Sequence, residues 1–287
     1  MVFSKIIAGT MTWGVWGKDC NTRQMIELIN CCLENSITTF DHADIYGDYT
    51  TEAAFGKAFG ESKIDRSKVQ MISKCGIQME SEKRGNIIKH YDYSTSYIIW
   101  SVEQSLRNLQ TDYLDLLLLH RPSPLMRADA IAEAVEKLKQ DGKIIDFGVS
   151  NFSPSQTDLI DMKTKISFNQ IRFSITRFEA MLDGSLDHMQ TRTITPMCWS
   201  PLGSVFKKDD EQAHRVKQMA TDFAIKYDVP IDVILLAWIL KHPSGILPVC
   251  GTANQVRIAN LMKATTVEME LQDWFALWSE STGVPVP

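Results

Sequence analysis

The chain has 287 residues, of which 44% are hydrophobic and 23% charged, with 15 Gly and 10 Pro; these ordinary values exclude a low-complexity or collagen-like polymer. Thirty Lys and Arg against 35 Asp and Glu leave a formal charge of −5 with His neutral, which excludes a basic nucleic-acid binder of the ordinary kind. The longest nearly apolar stretch, Val233 to Leu240, is far shorter than the ~18 to 20 residues a membrane span needs. The first residues, Met1-Val-Phe-Ser-Lys-Ile-Ile-Ala-Gly, run straight into a strand-like segment without the make-up of a signal peptide, so the expected compartment is the cytoplasm. Six Cys without C-x-x-C spacing read as reduced thiols that act as small hydrophobes.

Short apolar runs alternate with segments of helical period along almost the whole sequence. In chain order the pattern predicts a strand at Ile6 to Met11, a helix at Thr22 to Glu34, a strand at Thr38 to Asp41, a helix at Thr51 to Phe59 and a strand at Val69 to Lys74. A helix at Ser94 to Leu109 follows, then a strand at Leu114 to His120, a helix at Ala128 to Gln140, a strand at Ile145 to Ser150 and a helix at Pro154 to Asp161. Strands at Phe168 to Ile171, Ile194 to Trp199 and Ile246 to Val249 complete the set, with helices at Asp210 to Tyr227 and Asn254 to Met262. Two further helices, Ile231 to Lys241 and Leu271 to Glu280, stand as additions. Local punctuation agrees: Ser153-Pro154-Ser155-Gln156 offers a capping box with Pro at the first helical position, and Asp141-Gly142 ends the helix before it. Eight strands, each followed by a helix, close most economically into a (β/α)8 TIM barrel with extra C-terminal helices and mouth loops, a single domain over residues 1–287. The competing open doubly wound sheet would bring a Gly-rich turn, and no G-x-G-x-x-G or P-loop motif occurs.

In such a barrel the chemistry sits where strands end at the C-terminal mouth. Asp41, Lys74 and His120 end three successive strands, so a carboxylate, an amine and an imidazole should converge, with Tyr46 five residues after Asp41 in the next loop. That set suits proton transfer to an oxygen. A tyrosine is a poor acid at neutral pH, and Lys74 is expected to pull its pKa down while pairing with Asp41. His120 would orient the oxygen or share the proton. The six His show no ligand spacing, so no metal site is expected. His42 and His242 read as surface or supporting residues.

These residues resemble the aldo-keto reductase family across nearly the whole chain. Phe40-Asp41-His42-Ala43-Asp44-Ile45-Tyr46-Gly47 looks like its first signature, Tyr113 to Pro122 like the central one, and Gly148-Val149-Ser150-Asn151-Phe152 like the segment that follows. Asn169-Gln170-Ile171 and Trp199-Ser200-Pro201-Leu202-Gly203 fit the family's sixth and seventh strand ends, and Trp274-Phe275 with Val284-Pro285 looks like a bacterial branch of NADP-dependent oxidoreductases. The resemblance implies NADPH-dependent reduction of aldehydes or ketones, with Asp41, Tyr46, Lys74 and His120 as the catalytic tetrad and Tyr46 as proton donor. It places the nicotinamide carboxamide on Ser150, Asn151 and Gln170 and its ring on Trp199. The pyrophosphate falls on Ser200, Leu202 and Ser204, and the 2′-phosphate end on Gly251, Thr252, Arg257 and Asn260. The implied cofactor wall also takes in Gly9, Thr10, Met11 and Asp41. Gly251 and Asn260 stand where many family members carry Lys and Glu.

The 46-residue interval from Lys74 to His120 is longer than in compact members, and the excess, Gly76 to Ser94 with Tyr91 and Tyr93, would project over the mouth as a lid. The hairpin that plugs the barrel bottom in many members is expected to be reduced or missing. Trp13, Tyr46 and His120 are the expected substrate contacts, and Trp13 and Trp16 with Phe173, Phe178 and Met181 suggest an apolar, even aromatic, aldehyde. The partner is thus a small carbonyl substrate, with no nucleic acid or membrane, and a monomer is the expected state. The alternative from another class is a non-catalytic NADP-binding regulatory subunit, which would have no need of Tyr46 and Lys74 together.

Overall fold

The computed structural model describes residues 3–285. Its strands, in chain order, are β1 (Ile7–Gly9), β2 (Thr39–Asp41), β3 (Gln70–Cys75), β4 (Ile77–Gln78), β5 (His90–Tyr91), β6 (Leu114–Leu119), β7 (Ile144–Ser150), β8 (Phe168–Arg172), β9 (Thr195–Trp199) and β10 (Leu247–Cys250). Eight of them close a barrel in the order β1-β10-β9-β8-β7-β6-β3-β2, every pair parallel. The remaining two, β4 and β5, pair antiparallel as a small hairpin inside the Gly76 to Ser94 insertion. All eight predicted barrel strands are present, shifted by one or two residues at their ends.

Both faces of a barrel strand are covered, one by the lumen and one by helices, so these strands read as continuous apolar runs. In β6 all six residues are buried. Its single acid, Asp115, escapes the cost of burial because Arg66 meets its carboxylate at 2.6 Å and the Met71 N–H donates to it at 2.8 Å. Within the lumen, residues two apart alternate inward. Ile7, Ile72, Leu116, Leu118, Met197 and Val249 form one buried cluster. One step further along three of the same strands stand Lys74, His120 and Trp199, so alternation carries the core directly into the site. Among the described residues no strand precedes β1; Phe3 covers the bottom of the lumen instead, its ring 5.0 Å from that of Phe168.

Ser153 caps the Pro154–Asp161 helix in the expected box with Gln156, and Asn21 does the same for Thr22–Glu34 with Gln24. A helix that the sequence pattern does not announce, Ser185–Thr191, joins β8 to β9; it has seven residues and no side-chain cap. The added helix Ile231–Leu240 is buried through most of its length. It is covered by Leu271–Thr282, where Trp274 stacks on Trp238 at 4.9 Å and each indole N–H donates to the other's carbonyl.

Candidate active site

The ends of β2 and β3 lie side by side, with Asp41 in register with Ile72. From there the Lys74 side chain, fully buried, turns its ammonium into three acceptors: Asp41 Oδ2 at 2.6 Å, the His42 carbonyl at 2.7 Å and the Tyr46 hydroxyl at 3.1 Å. A buried ammonium is tolerable only when so satisfied. Burial pushes the Lys74 amine down, but the Asp41 carboxylate and Tyr46 outweigh it and hold its pKa above the ordinary lysine value. Gln170 donates to the other Asp41 oxygen at 2.9 Å, which fixes the carboxylate from the opposite side of the lumen. His120 stands across from Tyr46, ring centroids 6.0 Å apart and nearly perpendicular.

The expected direction of the Tyr46 shift is reversed. Burial raises the phenol above its usual range, and the Lys74 ammonium offsets only part of that rise. Tyr46 is therefore a protonated phenol beside a cation, not a phenolate. His120 is displaced the other way: burial first, then Lys74, Arg121 and Lys89, push its imidazole well below the usual histidine value, so the ring is neutral. Its Nδ1 is buried without a partner.

A second chain of bonds extends from this set to Trp199. The indole N–H donates to Asn151 Oδ1 at 2.9 Å, Asn151 Nδ2 to the Ser150 hydroxyl at 2.7 Å, and that hydroxyl to the Gln170 carbonyl at 2.9 Å. Asn151 takes φ +62, a left-handed turn that Asn tolerates, as the backbone leaves β7. Ring, amide and tetrad are thereby one rigid wall.

That wall faces a cavity of about 1170 Å³, larger than a pocket for one small molecule and roomy enough for a dinucleotide with a substrate. Of the expected cofactor residues, Gly9, Met11, Asp41, Ser150, Asn151, Gln170, Trp199, Ser200, Leu202, Gly251, Thr252 and Arg257 line it. Three do not. Thr10 is wholly buried, its hydroxyl bonded to the Asp41 carbonyl and to His42 Nδ1, so it braces β1 against β2. Ser204 gives its backbone N–H to the Thr176 hydroxyl, and the Asn260 amide turns back onto the Val256 carbonyl of its own helix.

The substrate expectation needs a larger correction. Trp13 is fully buried against Phe40 and Phe55, with its indole N–H on the Thr252 carbonyl, and does not line this cavity. Trp16, three residues on, lines the cavity instead, 6.3 Å from the Tyr46 ring. Phe173 packs on Trp238, Phe178 on Trp278, and Met181 against the core, so none supplies an aromatic pocket. Sequence reasoning missed Ile45, Ile77, Met79, Lys89, Arg121 and Phe206, all on the cavity wall. The insertion does reach the site: Ile77, Met79, Lys89 and Tyr91 come from it, whereas Tyr93 is buried with its hydroxyl on the Arg121 carbonyl at 2.5 Å. Arg121 itself was marked by its position, directly after the strand-end His120. Of the two places expected for His42 the structure gives the supporting one: it is fully buried, its carbonyl accepts from Lys74 and its ring meets Thr10, and burial and Lys74 push it down to about 3. Among the described residues no group of His, Cys, Asp and Glu could hold a metal ion.

The aldo/keto reductase family model matches residues 5–278. The chain belongs to the aldo/keto reductase family. It is 39% identical to an uncharacterized oxidoreductase, YcsN, of Bacillus subtilis, over 99% of this chain and 96% of that one. It is 36% identical to a 6-dehydroglucose reductase of Agrobacterium fabrum, over 98% and 97%. Among solved structures, an aldo/keto reductase from Klebsiella pneumoniae has the same fold, with a TM-score of 0.80 and 23% identity over 99% of this chain and 93% of that one. Membership makes the chain an oxidoreductase with a (β/α)8 barrel. Among the described residues no helix is long and apolar enough to cross a membrane.

Proposed function

We propose that this aldo/keto reductase reduces a small aldehyde or ketone to the alcohol with NADPH, Tyr46 giving the proton. The observation that carries the reading is the Lys74 ammonium held at once by Asp41 Oδ2 and the Tyr46 hydroxyl at the floor of a large cavity.

The residues present fit the cofactor. Trp199 offers a flat face braced by Asn151, the Ser150, Asn151 and Gln170 polar groups are bonded in series behind it, and Lys18, Lys207 and Arg257 line the same cavity as Thr252, charges that suit the cofactor's phosphates. The Klebsiella pneumoniae structure was solved with NADP and acetate, which supports the same assignment. When bound, NADPH supplies the hydride that reaches the carbonyl carbon. Tyr46 meanwhile gives its hydroxyl proton to the carbonyl oxygen, and the phenolate left behind is stabilised by Lys74. Asp41 keeps that ammonium charged and aimed, and Gln170 keeps Asp41 in place. His120, neutral, offers the oxygen a hydrogen bond without competing as an acid. Solvent then returns a proton to Tyr46, and the net change is carbonyl to alcohol with one hydride and one proton taken up. The six cysteines are all unpaired and five are buried, which fits the cytoplasm.

The apolar contacts Trp16, Ile45, Ile77 and Met79 share the substrate side with Lys89, Tyr91 and Arg121, so the substrate has a polar part as well as a carbonyl. Sugar aldehydes of the kind named for the Agrobacterium fabrum relative belong in a test panel. The test is loss of NADPH absorbance across a carbonyl panel for the wild type and Tyr46→Phe. Turnover that falls by ~10² or more in the variant supports the reading, and equal rates contradict it.

A further inference from the structure

Five cations line the cavity, Lys18, Lys89, Arg121, Lys207 and Arg257, against two carboxylates, Asp41 and Asp232. Asp41 is committed to Lys74. Among the described residues none of the five cations makes an ion pair. Three belong to one end: Lys18 donates to the Ala253 carbonyl at 3.2 Å, Arg257 follows Thr252 on the same connection, and Lys207 lies on the loop after β9, the neighbour of β10. Cofactor phosphates account for these. Lys89 and Arg121 are left over, and both belong to the side where His120 and Tyr46 stand.

The Arg121 backbone is fixed by the insertion. Its N–H donates to the Tyr93 hydroxyl at 3.2 Å while its carbonyl accepts from the same hydroxyl, so the insertion grips the backbone on both sides. From the end of β6 the guanidinium then reaches over the mouth to within 5.3 Å of the Trp199 ring on β9, past the ends of β7 and β8. Ile45, Ile77 and Met79 pack with Tyr46 on the wall of the same cavity, and of its two carboxylates Asp41 is already paired. A half-buried guanidinium beside apolar side chains is costly unless an anion meets it.

We propose that Arg121, aided by Lys89 on the wall of the same cavity, is a specificity-determining residue that selects carbonyl substrates bearing an acid group, a carboxylate or a phosphate. The assignment rests on the carbonyl-reductase reading of the same cavity. The guanidinium offers two parallel N–H bonds to such a group, and Lys89 adds charge from the insertion. Both cations bear on His120, so an acid group that pairs with them lies close to the reacting carbonyl.

The test compares matched substrates that differ in charge: 4-formylbenzoate against its methyl ester, and glyceraldehyde 3-phosphate against glyceraldehyde. The readout is the ratio of kcat/KM within each pair for the wild type, Arg121→Gln and Lys89→Gln. The expected wild-type ratio is about tenfold or more in favour of the acid in at least one pair, falling toward one in Arg121→Gln and part of the way in Lys89→Gln. Added salt should lower the acid member alone. A preference confined to one pair identifies which acid is selected. Turnover of the neutral members with a wild-type ratio of one overturns the assignment, as does a preference that survives both substitutions. Turnover of none of the four overturns the reductase reading and this assignment with it.

Discussion

Asp41→Asn is nearly isosteric and leaves Lys74 in place, so it isolates the charge that the site depends on. In the native protein the Lys74 side chain is fully buried and its ammonium lies 2.6 Å from Asp41 Oδ2. Removing one partner of a buried pair strands the other charge, at a typical cost of about 3–5 kcal/mol. The His42 carbonyl and Tyr46 hydroxyl remain as acceptors, so the lower end, about 3 kcal/mol, is expected. The pH dependence gives the sign. In the wild type the Lys74 pKa is raised, so its contribution is fully present below the ordinary lysine value of 10.5 and is lost only above it. In the variant, burial without the carboxylate depresses the amine, so the unfolded chain binds more protons than the folded one below 10.5. Stability of the variant relative to the wild type should therefore improve as pH rises from neutral toward 10. Urea unfolding at several pH values, followed by fluorescence, measures this. A difference under ~0.5 kcal/mol at pH 7, or one that does not shrink with rising pH, would refute the buried-pair argument.

Lys74→Met should leave the fold standing while cutting kcat by roughly 10² or more, because Tyr46 loses the cation that stabilises its phenolate; steady-state kinetics on a neutral aldehyde check it. Burial and then the nearby Glu52 raise Asp44 to about 7, so its contribution to stability is greatest at acid pH and is lost as pH rises from about 4 to about 7. Asp44→Asn should accordingly be more stable than the wild type at pH 8 and lose that advantage at pH 4, as thermal melts would show. Gly76 has φ +107, and a Cβ there would stand 2.0 Å from the Tyr93 ring. Gly76→Ala should cost roughly 1–3 kcal/mol and, by displacing Tyr93 from Arg121, weaken any preference for acidic substrates; denaturant melts and the paired-substrate ratio report the two effects.

Three of the tetrad were legible in the sequence through period-two alternation alone: strands whose inward residues are apolar must end on an inward residue at the mouth, and here those are Asp41, Lys74 and His120, with Gln170 and Trp199, whereas Tyr46 lies past the end of β2 and was reached from its place five residues after Asp41 and from the family resemblance. Beyond the strand ends that rule lapses. Trp13 and Trp16 follow β1 in an irregular loop, and only the fold shows that the first turns into the core and the second into the cavity. The Ser185–Thr191 helix escaped notice because Gly184, left-handed at its start, offers no side-chain cap and only Leu186 and Met189 mark its buried face. The direction of the Tyr46 shift is hidden from the sequence for another reason. The Lys74 charge is written in the sequence, but the depth of burial that outweighs it is a property of the closed barrel. Arg121 was in plain sight, yet its reach to Trp199 depends on Tyr93, 28 residues away in the chain, gripping its backbone.

The central claim, that Tyr46 protonates a carbonyl oxygen while a cofactor hydride reaches the carbon, is tested most directly with NADPH deuterated at the transferring position. Mass spectrometry of the alcohol should show one deuterium on the former carbonyl carbon with the wild type and almost no alcohol with folded, NADPH-binding Tyr46→Phe. Alcohol without the label, or labelled alcohol formed equally fast by the variant, would contradict it.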